Sequence, residues 1–362
     1  MSVHFGYSFP SIRGVQANRE YFISMCPMRL LPKIFLFNEE ELAPELRAQR
    51  RINRSRVPEI ANYIMRNRES YAFSAITASL DKEVHFSPIS EDDDSRNIGI
   101  LHIPMDARFI INDGQHRRAA IERAMQDMPE IGDENIAIVF FQDPGLKRCQ
   151  QLFADLNRYA IRPSTSLNIL YDHRDAKALL AKTLVGESGV FQGLVELEKS
   201  TLSARSQRLF TLSAIYHATN ELLQNISDTD PLELTKLAAR FWSFVAEQIE
   251  EWKLVRDGKI TAGEVRQDFI HSHAIGLQAI ARTGNALILE YPGDWEKRLK
   301  QLSQINWRRS NKSRWEGRAL LAGRISKGQQ NVVLTTISIK QTFGLPLSPE
   351  EQRVENAFEE EV

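Results

Sequence analysis

Ile110-Ile111-Asn112-Asp113-Gly114-Gln115-His116-Arg117-Arg118-Ala119-Ala120 runs from an apolar pair through a polar turn into residues that favour helix. The order reads as strand, Asp-Gly turn, helix. Asp113 is placed to cap the new helix by accepting a backbone N–H, and Gly114 lets the chain turn tightly. The first turn then presents free N–H groups beside Gln115, His116, Arg117 and Arg118, a set that suits a bound anion, most obviously phosphate. The same residues also read as a capped helix whose arginines face water or pair with acidic loops.

Upstream of this stretch the pattern is compact. Residues 98–103 read as extended, 104–107 as a turn and 108–112 as extended again; beyond the helix, Ile136-Ala137-Ile138-Val139-Phe140-Phe141 reads as a buried strand. Strand, turn, strand, helix, strand places the first helical turn at the edge of a small α/β sheet. Further upstream, Tyr21-Phe22-Ile23-Ser24-Met25 and Ile34-Phe35-Leu36-Phe37 are extended candidates, broken by Pro27 and Pro32. Val57, Ile60, Ala61 and Ile64 share one helical face, with Pro58 in its first turn, and 73–80 reads as a strand. Glu91-Asp92-Asp93-Asp94 reads as an exposed loop, because like charges repel.

Downstream, 144–160 begins a helix with Leu146, Cys149, Leu152, Phe153 and Leu156 on its apolar side, and Pro163 enforces a break. Beyond it helical patterns dominate, over about 173–184, 206–225, 233–253, 263–289 and 294–304. Ser206 is a sensible N-cap for the second of these. The expected organisation is an α/β domain over 1–162 and a mainly α-helical domain over 163–362.

The 362 residues are long enough to bury a sizeable core, and 42% hydrophobic with 26% charged is ordinary for a globular chain. Lys plus Arg number 46 against 47 Asp plus Glu, a net charge of -1, so total charge gives no support to nucleic-acid binding. Its distribution does. Arginines cluster at 47, 50, 51, 54 and 56, and residues 295–330 carry ten Lys or Arg against two Glu, with Trp307 and Trp315 interleaved. Arg308, Arg309, Lys312, Arg314 and Arg318 are the candidate DNA contacts, helical spacing setting Arg308 near Lys312 and Arg314 near Arg318. The two tryptophans are expected to anchor this segment in the core.

Cys26 and Cys149 lack metal-like spacing and read as buried small hydrophobes. His271 and His273 lie two apart in an expected helix, where they would diverge; no metal site is expected. There is no secretory leader and no apolar run of membrane length, which places the chain in the cytoplasm.

The Asp113-Gly114-Gln115-His116-Arg117 motif, with the segments 153–157, 203–211 and 307–317, resembles the DGQHR-domain family of bacterial DNA sulfur modification proteins. The resemblance implies an association with DNA phosphorothioation, a phage-defence setting, control of the modification genes and sequence-selective binding of duplex DNA. The sulfur chemistry itself is expected of other proteins. The motif region also resembles, more distantly, the domain shared by ParB-like and sulfiredoxin proteins, whose turn–helix element takes part in nucleotide or phosphate binding.

Carried to this chain, that second likeness implies a ligand site at Asp113, Gly114, Gln115, His116, Arg117 and Arg118, with ATP or CTP and Mg²⁺ as candidate cofactors. Gln115-His116 stand where ParB-like proteins usually have Glu-Arg, and no Gly-Cys-His-Arg arrangement supports sulfiredoxin-type repair. Asp113 and His116 are the candidate catalytic groups, His116 because its ordinary pKa lies near neutrality. Asn157 and Arg158 are placed to complete the pocket or to close their own helix.

The leading expectation is a transcription regulator that occupies its own promoter, as a homo-oligomer. Its rivals are a nucleotide-hydrolysing or DNA-nicking enzyme using the DGQHR pocket, and a non-catalytic subunit that binds DNA modification proteins.

Overall fold

The N-terminal sheet starts from a hairpin with a two-residue turn. β1 (Gly6–Gln16) pairs antiparallel with β2 (Arg19–Pro27), Gln16 facing Arg19, and both turn residues are left-handed, Ala17 at φ 51° and Asn18 at φ 57°. Turns of this hand match the twist of the strands they join, which offsets the roughly 1 kcal/mol that a left-handed Ala costs. The computed structural model describes residues 6–35, 55–93, 95–144, 148–158, 163–227, 230–326 and 328–361. They fall in two units, Met1–Ile161 and Arg162–Val362, the first mixed α/β and the second mostly helical.

In the first unit seven strands form one sheet in the order β4-β5-β1-β2-β7-β3-β6, larger than the small sheet expected. The remaining strands are β3 (Ile76–Leu80), β4 (His85–Pro88), β5 (Ile98–Pro104), β6 (Phe109–Asp113) and β7 (Asn135–Gln142). β7 runs antiparallel to β2 and parallel to β3, and β6 forms the edge. Alternation decides the covered face: Phe9, Phe22, Leu101, Ile103, Ile138 and Phe140 are buried. Ile12, Ile23, Met25 and Ile98, on the opposite face, are exposed.

Four α-helices among the described residues belong to this site-bearing unit. α1 (Leu31–Ile34) occupies part of the stretch expected to be extended at 34–37; Pro32 in its first turn favours helix, and Leu31, Ile34 and Phe35 are buried. Leu36 and Phe37 lie outside the described residues, as do Arg47, Arg50, Arg51 and Arg54. α2 (Arg56–Arg66) buries Ala61 and Ile64 on the expected face and packs on α3 (Gln115–Asp127), which follows β6. α4 (Cys149–Arg158) packs beside β6.

The second unit is built around buried Phe241, Trp242, Trp252 and Trp315. Its helices are α5 (Thr165–Tyr171), α6 (Ala176–Glu187), α7 (Leu212–Leu222), α8 (Pro231–Gln248), α9 (Glu250–Arg256), α10 (Ala262–Asp268), α11 (Ala274–Glu290), α12 (Trp295–Leu299), α13 (Lys312–Trp315), α14 (Gln329–Thr342) and α15 (Pro349–Glu361). α7 begins six residues later than expected, capped by Thr211, whose hydroxyl accepts from Ala214 N. Ser206 is therefore not its cap and instead accepts from Arg208 N.

The helix expected over 263–289 is broken between α10 and α11. The break is tied by Ile270 N donating to Trp307 O, a contact remote in sequence. His271 and His273 sit in that break, not on a helix. Trp252 Nε1 donates to His271 Nδ1 at 3.0 Å, which fixes the neutral ring's proton on Nε2 beside Glu251. No described helix is long and apolar enough to cross a membrane.

Candidate phosphate and DNA-binding sites

The DGQHR turn is built on the sheet edge. β6 buries Ile110, Ile111 and Asn112, and Asn112 donates to Ser79 Oγ at 2.7 Å, which ties the strand end to β3. The chain then reverses at Gly114, whose φ of 105° is one that an L side chain rarely adopts. A Cβ there would also come within 3.0 Å of Arg117 Nη2 and of Ile76.

Asp113 does not cap the helix. Gly114 is the N-cap, with no side-chain cap bond, and the Asp113 carboxylate accepts from Arg117 Nη2 at 2.8 Å. The ion pair one turn apart outcompetes the backbone N–H for the carboxylate, and the first-turn amides are left uncapped. Arg117 Nη2 also donates to Ala75 O at 3.0 Å, whereas its Nε is buried with no hydrogen-bond partner.

Arg117 forms the wall of a cavity of about 410 Å³ lined by Glu59, Ile60 and Tyr63 of α2 and by Ala72, Phe73 and Ser74. Glu59 and Tyr63 escaped the sequence reading; the helical face of α2 was the signal, since they occupy its turns beside Ile60. Arg118 is turned elsewhere, pairing with Glu122 at 2.8 Å. Gln115 is buried at the helix start.

Partial burial, then the positive charges of Arg56 and Arg117, pull the His116 pKa below the ordinary imidazole value, with Asp113 acting in the opposite sense. Arg56, the described member of the N-terminal arginine group, thus sends its field to this turn. A neutral His116 can donate or accept a hydrogen bond, and an arriving anion would favour its protonation. α4 carries Arg158, exposed, near its end. Cys26 and Cys149 are both buried thiols, and burial pushes Cys26 up to about 12.

The basic segment of the second unit is anchored as its tryptophans implied. Trp307 and Trp315 stack with ring centroids 5.6 Å apart, and their indole N–H groups donate to Leu302 O and Asn306 O. Only residues 312–315 are helical, so the helical spacing expected across 308–318 does not hold.

The five basic candidates separate. Arg308, over the Phe269 ring, and Lys312 are exposed. Arg309 is partly engaged, donating to Gln267 O at 3.0 Å and to Gly323 O at 2.9 Å. Arg314 points inward to Ser338 O at 2.7 Å and Thr342 Oγ1 at 2.6 Å. Arg318 is consumed by Glu355 and by Leu334 O. Arg314 and Arg318 therefore hold the fold together, Arg314 through Nη2 and Arg318 through both terminal nitrogens, which are committed to protein acceptors.

A family model described as "DndB: DNA-sulfur modification-associated" matches residues 9–346, both units included. The chain belongs to the DndB family. Neither a curated protein nor a solved structure matches it. DndB membership ties the chain to DNA sulfur modification gene clusters, and the match covers the DGQHR turn and the basic segment alike.

Proposed function

We propose that the chain regulates a DNA phosphorothioation gene cluster by occupying its promoter. The observation that carries this reading is the exposed pair Arg308 and Lys312, set beside a stacked tryptophan pair in a chain of the DndB family. Cations on a braced loop meet phosphates with little ordering cost, and phosphate contacts position a protein before base edges are read. Arg309 would contribute with the donors that its two carbonyl contacts leave over. A second copy of the chain would double these contacts.

The test is titration of the chain's own promoter and of shuffled DNA of equal length, at several salt concentrations, with and without ATP or CTP. Preference for the promoter supports the reading. Equal retention of both duplexes at every salt concentration would remove it.

A second reading rests on Arg117, whose buried Nε lacks a partner at the wall of the 410 Å³ cavity. The turn suits a phosphate through uncapped first-turn amides from Gln115 onward, Arg117 and His116, whose pKa lies below the ordinary imidazole value; of these Arg117 lines the cavity, beside Glu59. We propose that this ParB-like turn–helix element holds the phosphates of ATP or CTP. Arg117 would supply charge, Gly114 the close backbone approach, and Asp113 would hold Arg117 in place or turn to a Mg²⁺. Bound nucleotide would place its charged phosphates against the first turn of α3; His116 would then carry or release a proton at an imidazole nitrogen. Turnover of ATP or CTP that is unchanged in both Asp113→Ala and Arg117→Ala would exclude this location.

A further inference from the structure

The mostly helical unit contains a larger cavity, of about 890 Å³, within the range of small-molecule sites. Part of its wall is apolar, formed by Leu202, Leu209, Phe210, Ile275 and Val332. Two independent features give the rest a positive character, and a third leaves a buried hydrogen-bonding group unmet.

Arg266 lines the cavity and is nine-tenths buried. Its guanidinium donates to the backbone carbonyls of Ser203, Ala204, Ser206 and Arg208. Among the described residues no carboxylate pairs with it. Glu264, the acid on the cavity wall, is engaged by Thr261 N at 2.8 Å and Thr261 Oγ1 at 2.7 Å in the capping box of α10.

Two long helices also begin at this wall. α11 and α14 both lack a side-chain cap, and their first residues Ala274, Ile275 and Gln329 line the cavity. Uncapped amides carry the positive end of each helix dipole. Between α10 and α11, Ser272 lines the same space at 5% exposure, and its buried hydroxyl has no hydrogen-bond partner. Such a hydroxyl is unfavourable unless something fills the site.

We propose that this cavity binds a small organic phosphate of about mononucleotide size. The phosphate takes the helix starts and the Ser272 hydroxyl, and the organic body lies against Phe210, Ile275 and Val332. Arg266 supplies long-range charge while it holds the 203–208 loop that walls the cavity. This site is separate from the DGQHR turn.

The experiment follows binding of inorganic phosphate, AMP and adenosine to the full chain by calorimetry and thermal melting at matched ionic strength. Phosphate and AMP are expected to raise Tm, AMP binding at least tenfold more tightly than phosphate and than adenosine. Gln278→Glu adds a carboxylate to the wall with little change of size and is expected to cut AMP affinity tenfold or more. Ser272→Ala, which removes only the hydroxyl, cuts it about threefold or more and serves if the first variant melts early. Arg117→Gln, in the other unit, separates the two sites, since AMP binding that it removes belongs to the DGQHR turn and not to this cavity. Absence of any response to phosphate and AMP, equal binding of adenosine and AMP, or AMP binding that survives Gln278→Glu and Ser272→Ala but is lost in Arg117→Gln overturns the proposal.

Discussion

Arg318 and Glu355 meet in a two-pronged ion pair, Nη1 to Oε2 at 2.7 Å and Nη2 to Oε1 at 2.6 Å, with the Glu355 side chain only 3% exposed. Burial pushes the Glu355 pKa up, but the Arg318 bonds outweigh it and hold the carboxyl below its ordinary value. Removing one partner leaves the other buried and uncompensated. Arg318→Ala is expected to destabilise the chain by about 3–5 kcal/mol in chemical denaturation. DNA affinity per folded molecule should be unchanged; a DNA defect in a fully folded Arg318→Ala protein would contradict the structural role.

Arg308→Ala and Lys312→Ala should behave in the opposite way. Each exposed cation that meets a phosphate contributes about 0.9 to the slope of log K against log salt. Each variant is expected to lower that slope by about 0.9 with little change in melting temperature. A gel-shift or anisotropy titration over a salt series reads both quantities, and unchanged slopes would remove these residues from the DNA face.

At the DGQHR turn, Gly114→Ala forces a side chain onto a φ of 105° and against Arg117 and Ile76. The expected loss is about 1–3 kcal/mol, read from denaturant midpoints. His116 supplies a second measurement there. Its pKa is depressed by partial burial and by Arg56 and Arg117, so a bound phosphate should raise it. NMR titration of the imidazole with and without ATP or CTP reports this directly, and an unmoved His116 curve would argue against phosphate beside that ring.

His273 makes stability fall in acid. Burial is the main cause of its pKa of about 4, with Arg309, Arg266 and His271 adding to it and the bond to Arg266 O opposing it. Below the ordinary value of 6.5 the unfolded chain binds a proton that the folded chain refuses until about pH 4, so stability drops across that window. Above 6.5 both states are neutral at this ring and the effect vanishes. The drop amounts to about 2 kcal/mol by pH 5 and about 3 kcal/mol in full. His273→Gln should flatten the curve between pH 6.5 and 4, and a variant that loses as much stability as the parent there would rule out this ring as the cause.

The parts of the fold that could be read from residue order are those whose burial is local. The strands at 98–103, 108–112 and 136–141 are short apolar runs between turn residues, and the 56–66 helix shows its apolar face openly. β1 is different: Ser, Arg, Gly and Pro on its exposed positions blur the alternation that Phe9 and Ser11 follow. The break at 269–273 is tied by a contact distant in sequence, Ile270 with Trp307, which periodicity does not contain. α14 was hidden by its β-branched residues, and α15 by its many glutamates, which leave few apolar positions to mark a helical face. Two of those acids turn inward, Glu355 to Arg318 and Glu351 to Lys340 at 2.7 Å.

The same distinction holds at the sites. The Asp-Gly turn and the helix that follows it were visible in the motif, but the Asp113 carboxylate, expected to cap that helix, had two nearby donors to choose between, and only the rotamer of Arg117 settles which one it takes. Charge density likewise marked 308–318 as basic without saying which guanidinium groups were already engaged by carbonyls.

β7 is the last strand of this sheet in chain order, yet it lies between β2 and β3. Without residues 135–142 the sheet divides into two parts with no shared hydrogen bonds, β4-β5-β1-β2 and β3-β6. A chain without them would therefore display two open strand edges at once. The DGQHR turn rides on the smaller half, and that half joins the rest of the sheet through this keystone alone.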